Sequence, residues 1–346
     1  MLRRARVTTR TPITDHLLMN LVIQIPAWNE EESLPRTLAS LPRRLPPFRQ
    51  VTILVVDDGS TDGTAEAALA GADRLVRLPA HRGLAAAFRA GLDAALELDA
   101  DVIVNLDADG QYEPADIPAL VAPILAGQAD LVIGDRGPGT LAHFSPSKRL
   151  LQRLGSWVVE QAAGIRAPDS TSGFRALSRE AAQRVNVFSK MTYTLETIIQ
   201  AGSKGLRVVS VPVKAHETHR RSRLLTSVPH YVLVQAANIL RITALYKPLK
   251  LFSAAAGLFL LAGTALGARF LYYFFFTERA GGHVQSLILA AVLILVGVLT
   301  FLMALLADLV SINRRLLEEM RLRDKPSALS SPLSARNSET KHPADR

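Results

Sequence analysis

The sequence predicts an α/β protein in which a mostly parallel sheet is followed by two membrane-spanning helices. Between residues 21 and 133, short apolar runs rich in β-branched residues alternate with longer runs of helical periodicity. This alternation favours a parallel sheet that is covered by helices on both faces. Two long apolar segments follow residue 250. Each reaches the ~20 residues that a helix needs to cross a bilayer.

The strands and helices are assigned from the spacing of apolar positions along the chain. Strands are predicted at residues 21–25, 51–56, 74–78, 102–106 and 131–133. Helices are predicted at residues 31–40, 61–70, 83–98, 114–126 and 193–201.

The C-terminal part is predicted to form a helical hairpin in a membrane. Residues 251–276 contain Arg269 as their only charged residue, and residues 287–307 contain none. Residues 226–250 carry few charges before the first span and are predicted as an interfacial helix. By the positive-inside rule, both ends of the hairpin lie in the cytoplasm, because basic residues flank the two spans on their outer sides: Lys247, Lys250, Arg314, Arg315, Arg321, Arg323 and Lys325.

Charge and composition exclude several classes of protein. The net charge is +9, from 40 Lys and Arg against 31 Asp and Glu, and two of the basic clusters flank apolar segments. Such placement favours a membrane surface over nucleic acid, for which no recognition helix or RNA-binding module is found. The first 20 residues lack the apolar core of a signal peptide, so we expect the α/β domain to stay in the cytoplasm. The absence of cysteine excludes disulfides and thiolate metal sites.

Five parts follow from these patterns. They are a basic N-terminal extension (1–20), an α/β domain (21–225), a juxtamembrane interfacial helix (226–250), two transmembrane helices (251–310) and a basic, partly disordered cytoplasmic tail (311–346). The disorder is expected because residues 326–346 are rich in Ser, Pro and charge.

Polar motifs directly follow three of the predicted strands. Residues 26–30 follow the first strand, residues 57–62 the second, and residues 107–111 the fourth. The carboxyl ends of parallel strands meet at one edge of a sheet, and ligands of such folds bind there. We therefore expect these motifs to form a single site.

The third motif predicts a divalent cation site. Asp107, Asp109 and Gln111 alternate along the chain, so in an extended turn their side chains can converge on one ion. Oxygen ligands favour Mg²⁺ or Mn²⁺. The alternative is a solvated turn that caps the helix beginning near Pro114.

The acids of the other two motifs also have two interpretations. Asp57 and Asp58 end an apolar strand, where burial is costly unless each carboxylate meets a donor such as a base N–H or a ribose hydroxyl. Glu30 at the neighbouring strand end suits ribose. Helix capping alone is the alternative for Glu30 and for Asp58.

Six segments together carry a resemblance to a known family. They are PAWNEE (26–31), VDDGSTD (56–62), LDADGQ (106–111), IGDR (133–136), DSTSGFR (169–175) and SRL (222–224). In this order they resemble the inverting family 2 glycosyltransferases with the GT-A fold, above all the dolichyl or polyprenyl phosphate sugar synthases, over residues 20–225. The stretch GHVQSL (282–287) resembles the bacterial subgroup with two transmembrane helices.

The resemblance implies roles for particular residues. The nucleotide-sugar site is implied to consist of Pro26, Trp28, Glu30, Val56, Asp58, Asp107, Ala108 and Asp109, and the metal ligands are implied to be Asp107, Asp109 and Gln111. Arg136 resembles an arginine that contacts phosphate near the metal. Arg223 stands where those synthases have lysine, and an upstream arginine is replaced by Glu217, with Arg220 or Arg221 as substitutes. Asp109, Arg136, Arg175 and Arg223 are the predicted catalytic set.

Other cations and one acid are candidates from the residues themselves. Lys148, Arg149 and Arg153 share one face of a predicted helix and suit a lipid phosphate, or they form a solvated face. Gly173 permits a tight turn through which Arg175 can present its charge to a phosphate. Glu196 contacts the donor sugar or is a surface helix residue.

The implied reaction transfers the sugar of a UDP- or GDP-sugar to a polyprenyl phosphate and releases the nucleoside diphosphate. It takes place at the inner or plasma membrane of a bacterium, whose lipids surround the hairpin. The acceptor phosphate is largely dianionic at neutral pH, so a single displacement with inversion needs no strong general base. The alternatives are a processive polysaccharide synthase, whose further Gln-x-x-Arg-Trp motif is not found here, and an inactive scaffold of the same fold. A homo-oligomer is left open.

Overall fold

The computed structural model of the chain describes residues 19–137, 159–161, 163–187, 193–216, 237, 240–241, 243–276 and 284–323. Within these ranges, a seven-stranded sheet has the order β3-β2-β1-β4-β6-β5-β7. Its strands are β1 (Asn20–Ala27), β2 (Gln50–Asp57), β3 (Arg74–Arg77), β4 (Val102–Asn105), β5 (Leu131–Asp135), β6 (Arg175–Ser178) and β7 (Val208–Pro212).

All strand pairs are parallel except those of β6. β1 pairs with β2 and β4, β2 with β3, and β5 with β7, each in parallel register. β6 lies antiparallel between β4 and β5. Because β6 runs the other way, its first residue lies at the edge where the parallel strands end.

The helices cover the two faces of this sheet. They are α1 (Leu34–Ser40), α2 (Thr64–Gly71), α3 (Leu84–Glu97), α4 (Ile117–Leu125), α5 (Arg179–Arg184) and α6 (Thr194–Ser203), and a 3₁₀ turn (Pro114–Asp116) precedes α4. β1 and β2 read as continuous apolar runs because both of their faces are buried. One apolar cluster includes Phe88 of α3, and the cluster on the opposite face includes Leu120 of α4.

Two long helices, α7 (Pro248–Phe276) and α8 (Val284–Arg323), complete the described chain. Both are long and apolar enough to cross a membrane, α8 over Val284–Arg314. They pack closely where small residues face the partner helix. A Cβ at Gly263 would lie 2.8 Å from the side chain of Ile294, and a Cβ at Gly297 would lie 2.8 Å from the side chain of Leu260.

We expect Gly263→Val to destabilise the packing of α7 on α8 by about 1–3 kcal/mol, because the added side chain has no space. Gly257→Val is the matched control, since no atom lies within 4 Å of a Cβ at that position. Unfolding of both variants in detergent measures the difference. Equal stability of the two variants would contradict the observed packing.

The hairpin contacts the α/β domain through the residues just before α7. Tyr246 is buried in the apolar cluster of α3, and the guanidinium of Arg314 from α8 lies 4.2 Å from its ring centroid. Lys247 donates a hydrogen bond from Nζ to the carbonyl of Ala163 (2.9 Å). The end of the second span is therefore anchored to the α/β domain.

The structure confirms the predicted fold class and corrects some details. The five predicted strands are present, with bounds shifted by at most two residues, and β6 and β7 were not predicted. Helix α8 continues to Arg323, well beyond the predicted end of the second span. Of the predicted interfacial helix (226–250), the described residues 237, 240–241, 243–246 and 248–250 are helical, and the last three belong to α7. The N-terminal extension up to residue 18 and the tail from residue 324 lie outside the described residues.

Candidate active site

The polar motifs meet at the edge where β1, β2, β4 and β5 end and β6 begins. β2 and β4 lie on opposite sides of β1, so the strand order reverses at this point. Such a reversal opens a crevice above the sheet, in which ligands of open α/β folds bind. The crevice is bordered by residues 26–30, 57–62, 107–111, 135–137 and 169–175.

Asp58 is buried at this edge, and its carboxylate is bound by residues of the loop before α3. Its carboxylate accepts hydrogen bonds from the backbone N–H groups of Arg82 and Gly83, each at 2.8 Å. His81 Nδ1 lies 2.9 Å from Asp58 Oδ2. The protein itself therefore supplies donors to the buried Asp58 carboxylate, and binding of a nucleoside by Asp58 stays a prediction.

The same loop covers the ring of Trp28. The His81 imidazole stacks on the indole with 3.9 Å between ring centroids and 20° between the planes. Gly59 makes this approach possible, because a Cβ there would lie 2.5 Å from the carbonyl carbon of Ala80 and the residue has a φ of +66°. His81 was missed from the sequence, where nothing distinguishes it from a solvated loop histidine.

Glu30 and the buried residues Pro26, Val56 and Ala108 lie at the same strand ends. The Glu30 carboxylate accepts a hydrogen bond from the Ser33 hydroxyl at 2.5 Å. The carbonyl of Ala108 accepts a hydrogen bond from the Thr37 hydroxyl (3.1 Å), which fixes the turn that carries Asp107 and Asp109.

The pair Asp107 and Asp109 concentrates negative charge in this turn. Burial, reinforced by the charge of Asp109, raises the pKa of the Asp107 carboxyl to about 7. Desolvation and the charge of Glu30 raise the pKa of Asp109 as well, although the residue has an exposed side. The backbone N–H of Gln111 donates to Asp109 Oδ1 at 3.0 Å, which holds the turn. Two carboxyls whose charges oppose each other form a site that a cation stabilises.

The residues of this turn fit a magnesium- or manganese-type ion. In the described part of the chain, no cluster of three or more His, Cys, Asp or Glu side chains forms a closed metal cage. Mg²⁺ rarely uses such a cage, because it binds one or two carboxylates and fills its other positions with water and substrate phosphates. By residue type, Asp107, Asp109 and the Gln111 amide match that requirement.

We expect the metal-free protein to lose stability as the pH rises from 4 to 7. The pKa of Asp107 is about 7 in the folded chain against an ordinary value of 3.8 for aspartate, so between these values the folded state holds a proton that the unfolded state has released. The slope from this group is at most about 1.4 kcal/mol per pH unit, and it levels off above pH 7. Thermal unfolding with EDTA measures it.

Asp107→Asn is the matched variant for this pH series. It should lack the part of the slope that Asp107 causes, and it should be more stable than the wild type at pH 8. Mn²⁺ should stabilise the wild type more at pH 8 than at pH 6, because the ion competes with the proton. Parallel pH profiles of wild type and variant would contradict the raised pKa.

Arg136 lies beside this acidic turn and is held by Asp169. Its Nε and Nη2 donate to the two oxygens of the Asp169 carboxylate at 2.6 and 2.9 Å, and Nη2 also donates to the Thr171 hydroxyl at 2.9 Å. Burial alone would raise the pKa of the Asp169 carboxyl, but the hydrogen bonds and charge of Arg136 keep that pKa below its ordinary value. The guanidinium is thus a fixed cation at the edge of the crevice.

Arg175 lies elsewhere than expected. Its side chain is fully buried and donates to the carbonyls of Ser170, Ser172 and Thr194 and to the Thr197 hydroxyl. These bonds use the guanidinium inside the protein, so the expectation that Arg175 presents its charge to a phosphate is corrected. Arg175 instead joins the loop before β6 to helix α6. Its buried positive charge lowers the pKa of Asp107, against the larger effect of burial.

Some predicted residues are placed differently or fall outside the described ranges. Glu196 is buried and accepts a hydrogen bond from Gln200 at 3.2 Å, so its interpretation as a surface residue is wrong. The remaining predicted cations lie outside the described residues: Lys148, Arg149, Arg153, Arg220, Arg221 and Arg223.

The fold of the described residues is of the GT-A type. The fold is similar to that of glucosyl-3-phosphoglycerate synthase from Mycobacterium tuberculosis in complex with phosphoglyceric acid, with a TM-score of 0.54 and 21% identity over 70% of this chain and 86% of that chain. A structure of the same enzyme in complex with Mn²⁺, UDP and glucosyl-3-phosphoglycerate has a TM-score of 0.52 and 20% identity, over 70% of this chain and 87% of that chain.

Residues 22–185 match the family described as Glycosyl transferase family 2. Polyprenol monophosphomannose synthase of Mycolicibacterium smegmatis is 36% identical over 214 residues, which cover 58% of this chain and 79% of that protein. Undecaprenyl-phosphate mannosyltransferase of Micrococcus luteus is 32% identical over 207 residues, which cover 56% of this chain and 83% of that protein. The chain belongs to glycosyl transferase family 2, as its motifs predicted, and it is a glycosyltransferase.

Proposed function

We propose that this enzyme transfers a sugar from a nucleoside diphosphate to a polyprenyl phosphate, with inversion at the anomeric carbon. The observation that carries the proposal is the acidic pair Asp107 and Asp109 beside the fixed guanidinium of Arg136, in a chain that also has two apolar helices. The names of the two relatives, both of which describe polyprenyl-linked mannose transfer, support the lipid acceptor.

The acidic turn is proposed to hold Mg²⁺ or Mn²⁺ through Asp107, Asp109 and Gln111. A bound divalent ion supplies charge that stabilises the departing diphosphate. The raised pKa of Asp107, which follows from its burial and from the charge of Asp109, supports this assignment, since a nearby cation stabilises the charged form of such a carboxyl.

The chain's own residues bind and orient the two substrates. Trp28 and Asp58, joined by His81, form the wall proposed for the nucleoside, and Glu30 is proposed for the ribose. Arg136 faces the diphosphate with a guanidinium whose direction is fixed by Asp169. Arg223 and the cluster of Lys148, Arg149 and Arg153 are proposed for the acceptor phosphate.

The hairpin α7–α8 is proposed to hold the enzyme in a bacterial inner or plasma membrane with its α/β domain in the cytoplasm. The proposed parts are the extension (1–20), the catalytic domain (21–225), the juxtamembrane segment (226–250), the hairpin (251–310) and the tail (311–346). The contacts of Tyr246 and Lys247 support a close link between domain and membrane. Confinement to the surface raises the effective concentration of a lipid acceptor.

Transfer by the purified full chain tests the proposal. The chain is incubated in vesicles with undecaprenyl or dolichyl phosphate, Mn²⁺ or Mg²⁺, and GDP-mannose, UDP-glucose or UDP-N-acetylglucosamine. One sugar per lipid is expected with one of these donors. Products with several sugars would indicate a processive synthase instead. The proposal would be wrong if none of the three donors were turned over with either lipid and either metal ion.

A further inference from the structure

Gly173 lies against the carboxylate of Asp107 more closely than any other residue type permits. A Cβ at Gly173 would lie 2.3 Å from Oδ2, 2.7 Å from Oδ1 and 2.8 Å from Cγ of Asp107. Such distances are well inside van der Waals contact, so the backbone of Gly173 forms one wall of the space that the carboxylate occupies. The direction of the Asp107 side chain therefore depends on where this backbone is held.

Three buried side chains hold the backbone of Gly173 from both sides. Its N–H donates to the hydroxyl of Tyr112 at 3.0 Å. Its carbonyl accepts hydrogen bonds from Asn105 Nδ2 at 2.8 Å and from the Tyr193 hydroxyl at 3.2 Å. Asn105 Nδ2 also donates to the Tyr193 hydroxyl at 2.8 Å, and Tyr112 is connected to this pair through the backbone of Gly173, so the three side chains form one array.

The array is fixed in turn by the core of the domain. Gln24 of β1 donates from Nε2 to Asn105 Oδ1 at 2.8 Å, so the array is tied to the central strand. The ring of Tyr193 stacks on Phe88 of α3 with 3.9 Å between centroids. Asn105, Tyr112 and Tyr193 are all at most 3% exposed. Buried polar groups whose partners are all protein groups restrict a core to one arrangement.

We propose that Tyr112, Asn105 and Tyr193 are positioning residues, which set the direction of the Asp107 carboxylate toward a divalent cation by holding Gly173 against it. This inference rests on the proposed function only for the identity of the cation site. Removal of groups that orient a metal ligand commonly lowers metal affinity 10–100-fold. A general effect on folding would change stability without changing metal affinity.

Mn²⁺ binding to the purified full chain tests the inference apart from catalysis. Electron paramagnetic resonance of free Mn²⁺ gives the dissociation constant without lipid, in one arm with no nucleotide and in a second arm with UDP or GDP. Tyr112→Phe and Tyr193→Phe each remove a single hydroxyl, so both are expected to fold. We expect the double variant to bind Mn²⁺ about 10–100-fold more weakly, and each single variant to lose less. Gly173→Ala should weaken binding at least as much.

Tyr246→Phe is the matched control, because it removes the hydroxyl of a buried tyrosine at the hairpin junction, away from the acidic turn. Its Mn²⁺ affinity should equal that of the wild type. Wild-type affinity in the double variant would overturn the inference, whatever its melting temperature, and so would a wild-type chain that binds no Mn²⁺ in either arm. A chain that binds Mn²⁺ as described but transfers no sugar would overturn the proposed function alone.

Discussion

Asp109→Asn should lower the turnover of sugar transfer on the order of 10³-fold. The substitution keeps an oxygen that can accept the hydrogen bond from the Gln111 backbone N–H, which is 3.0 Å long in the wild type, so the turn should survive. What is lost is the negative charge that is proposed to face the cation. Charge stabilisation by a divalent ion is worth several kcal/mol, and each ~1.4 kcal/mol changes a rate tenfold.

Asp99→Asn provides the matched control for this loss. Asp99 lies at the opposite edge of the sheet, before β4, where it pairs with Arg179 at 3.4 Å. It has a φ of +55°, which asparagine also tolerates. The same change of charge should leave transfer within about twofold of wild type, because an exposed ion pair contributes little. Initial rates of sugar transfer and Mn²⁺ titrations of both variants measure the difference. Near-normal transfer by Asp109→Asn would contradict the proposed metal site.

The regular part of the fold was predictable because its signals are local. β1 and β2 are buried on both faces, so an apolar run such as residues 51–56 identifies a strand without knowledge of its neighbours. β6 gives no such signal. It has four residues, begins with a charged arginine, and is a strand only because β4 and β5 pair with it from both sides.

The sequence identified the motifs of the candidate site, but it did not predict which hydrogen bonds their residues make. The acids Asp107 and Asp109 are apparent because two charges directly follow an apolar strand. The burial of Arg175 is not apparent, since its acceptors are carbonyls of the loop before β6 and of helix α6. In the same way, the donors that satisfy Asp58 come from residues 82 and 83, about 25 positions along the chain. Long-range hydrogen bonds leave no periodic pattern in a sequence.

The end of the second span shows a similar limit. Hydropathy falls after residue 307, and the sequence therefore predicts the end of the apolar span. The helix itself continues to Arg323, because charged residues such as Arg and Glu are good helix formers outside a bilayer. Arg314, at the start of this extension, contacts Tyr246 and so packs against the α/β domain.

Arg136→Ala should lower turnover about 10²–10³-fold, the range observed when a donor that stabilises transition-state charge is removed. Arg136 lies at the edge of the crevice with its side chain 16% exposed, and Asp169 fixes its plane through two hydrogen bonds. Arg136→Lys should restore only part of the rate, because an ammonium keeps the charge but loses the fork. Asp169→Asn should lower turnover less than Arg136→Ala, since the guanidinium stays but is less well directed.

Arg207→Ala separates this effect from the loss of an ordinary ion pair. Arg207 forms the same two-pronged contact with Asp130, with Nε–Oδ2 and Nη2–Oδ1 distances of 3.0 and 2.8 Å. That pair precedes β5 and β7 and therefore lies at the edge of the sheet remote from the crevice. Asp130 is buried but keeps the backbone N–H of Arg207 as a donor at 2.8 Å when the side chain is removed, so transfer by Arg207→Ala should remain near that of the wild type. If initial rates under saturating donor fell equally in Arg136→Ala and Arg207→Ala, Arg136 would be a structural residue and the diphosphate would have to be stabilised by other groups.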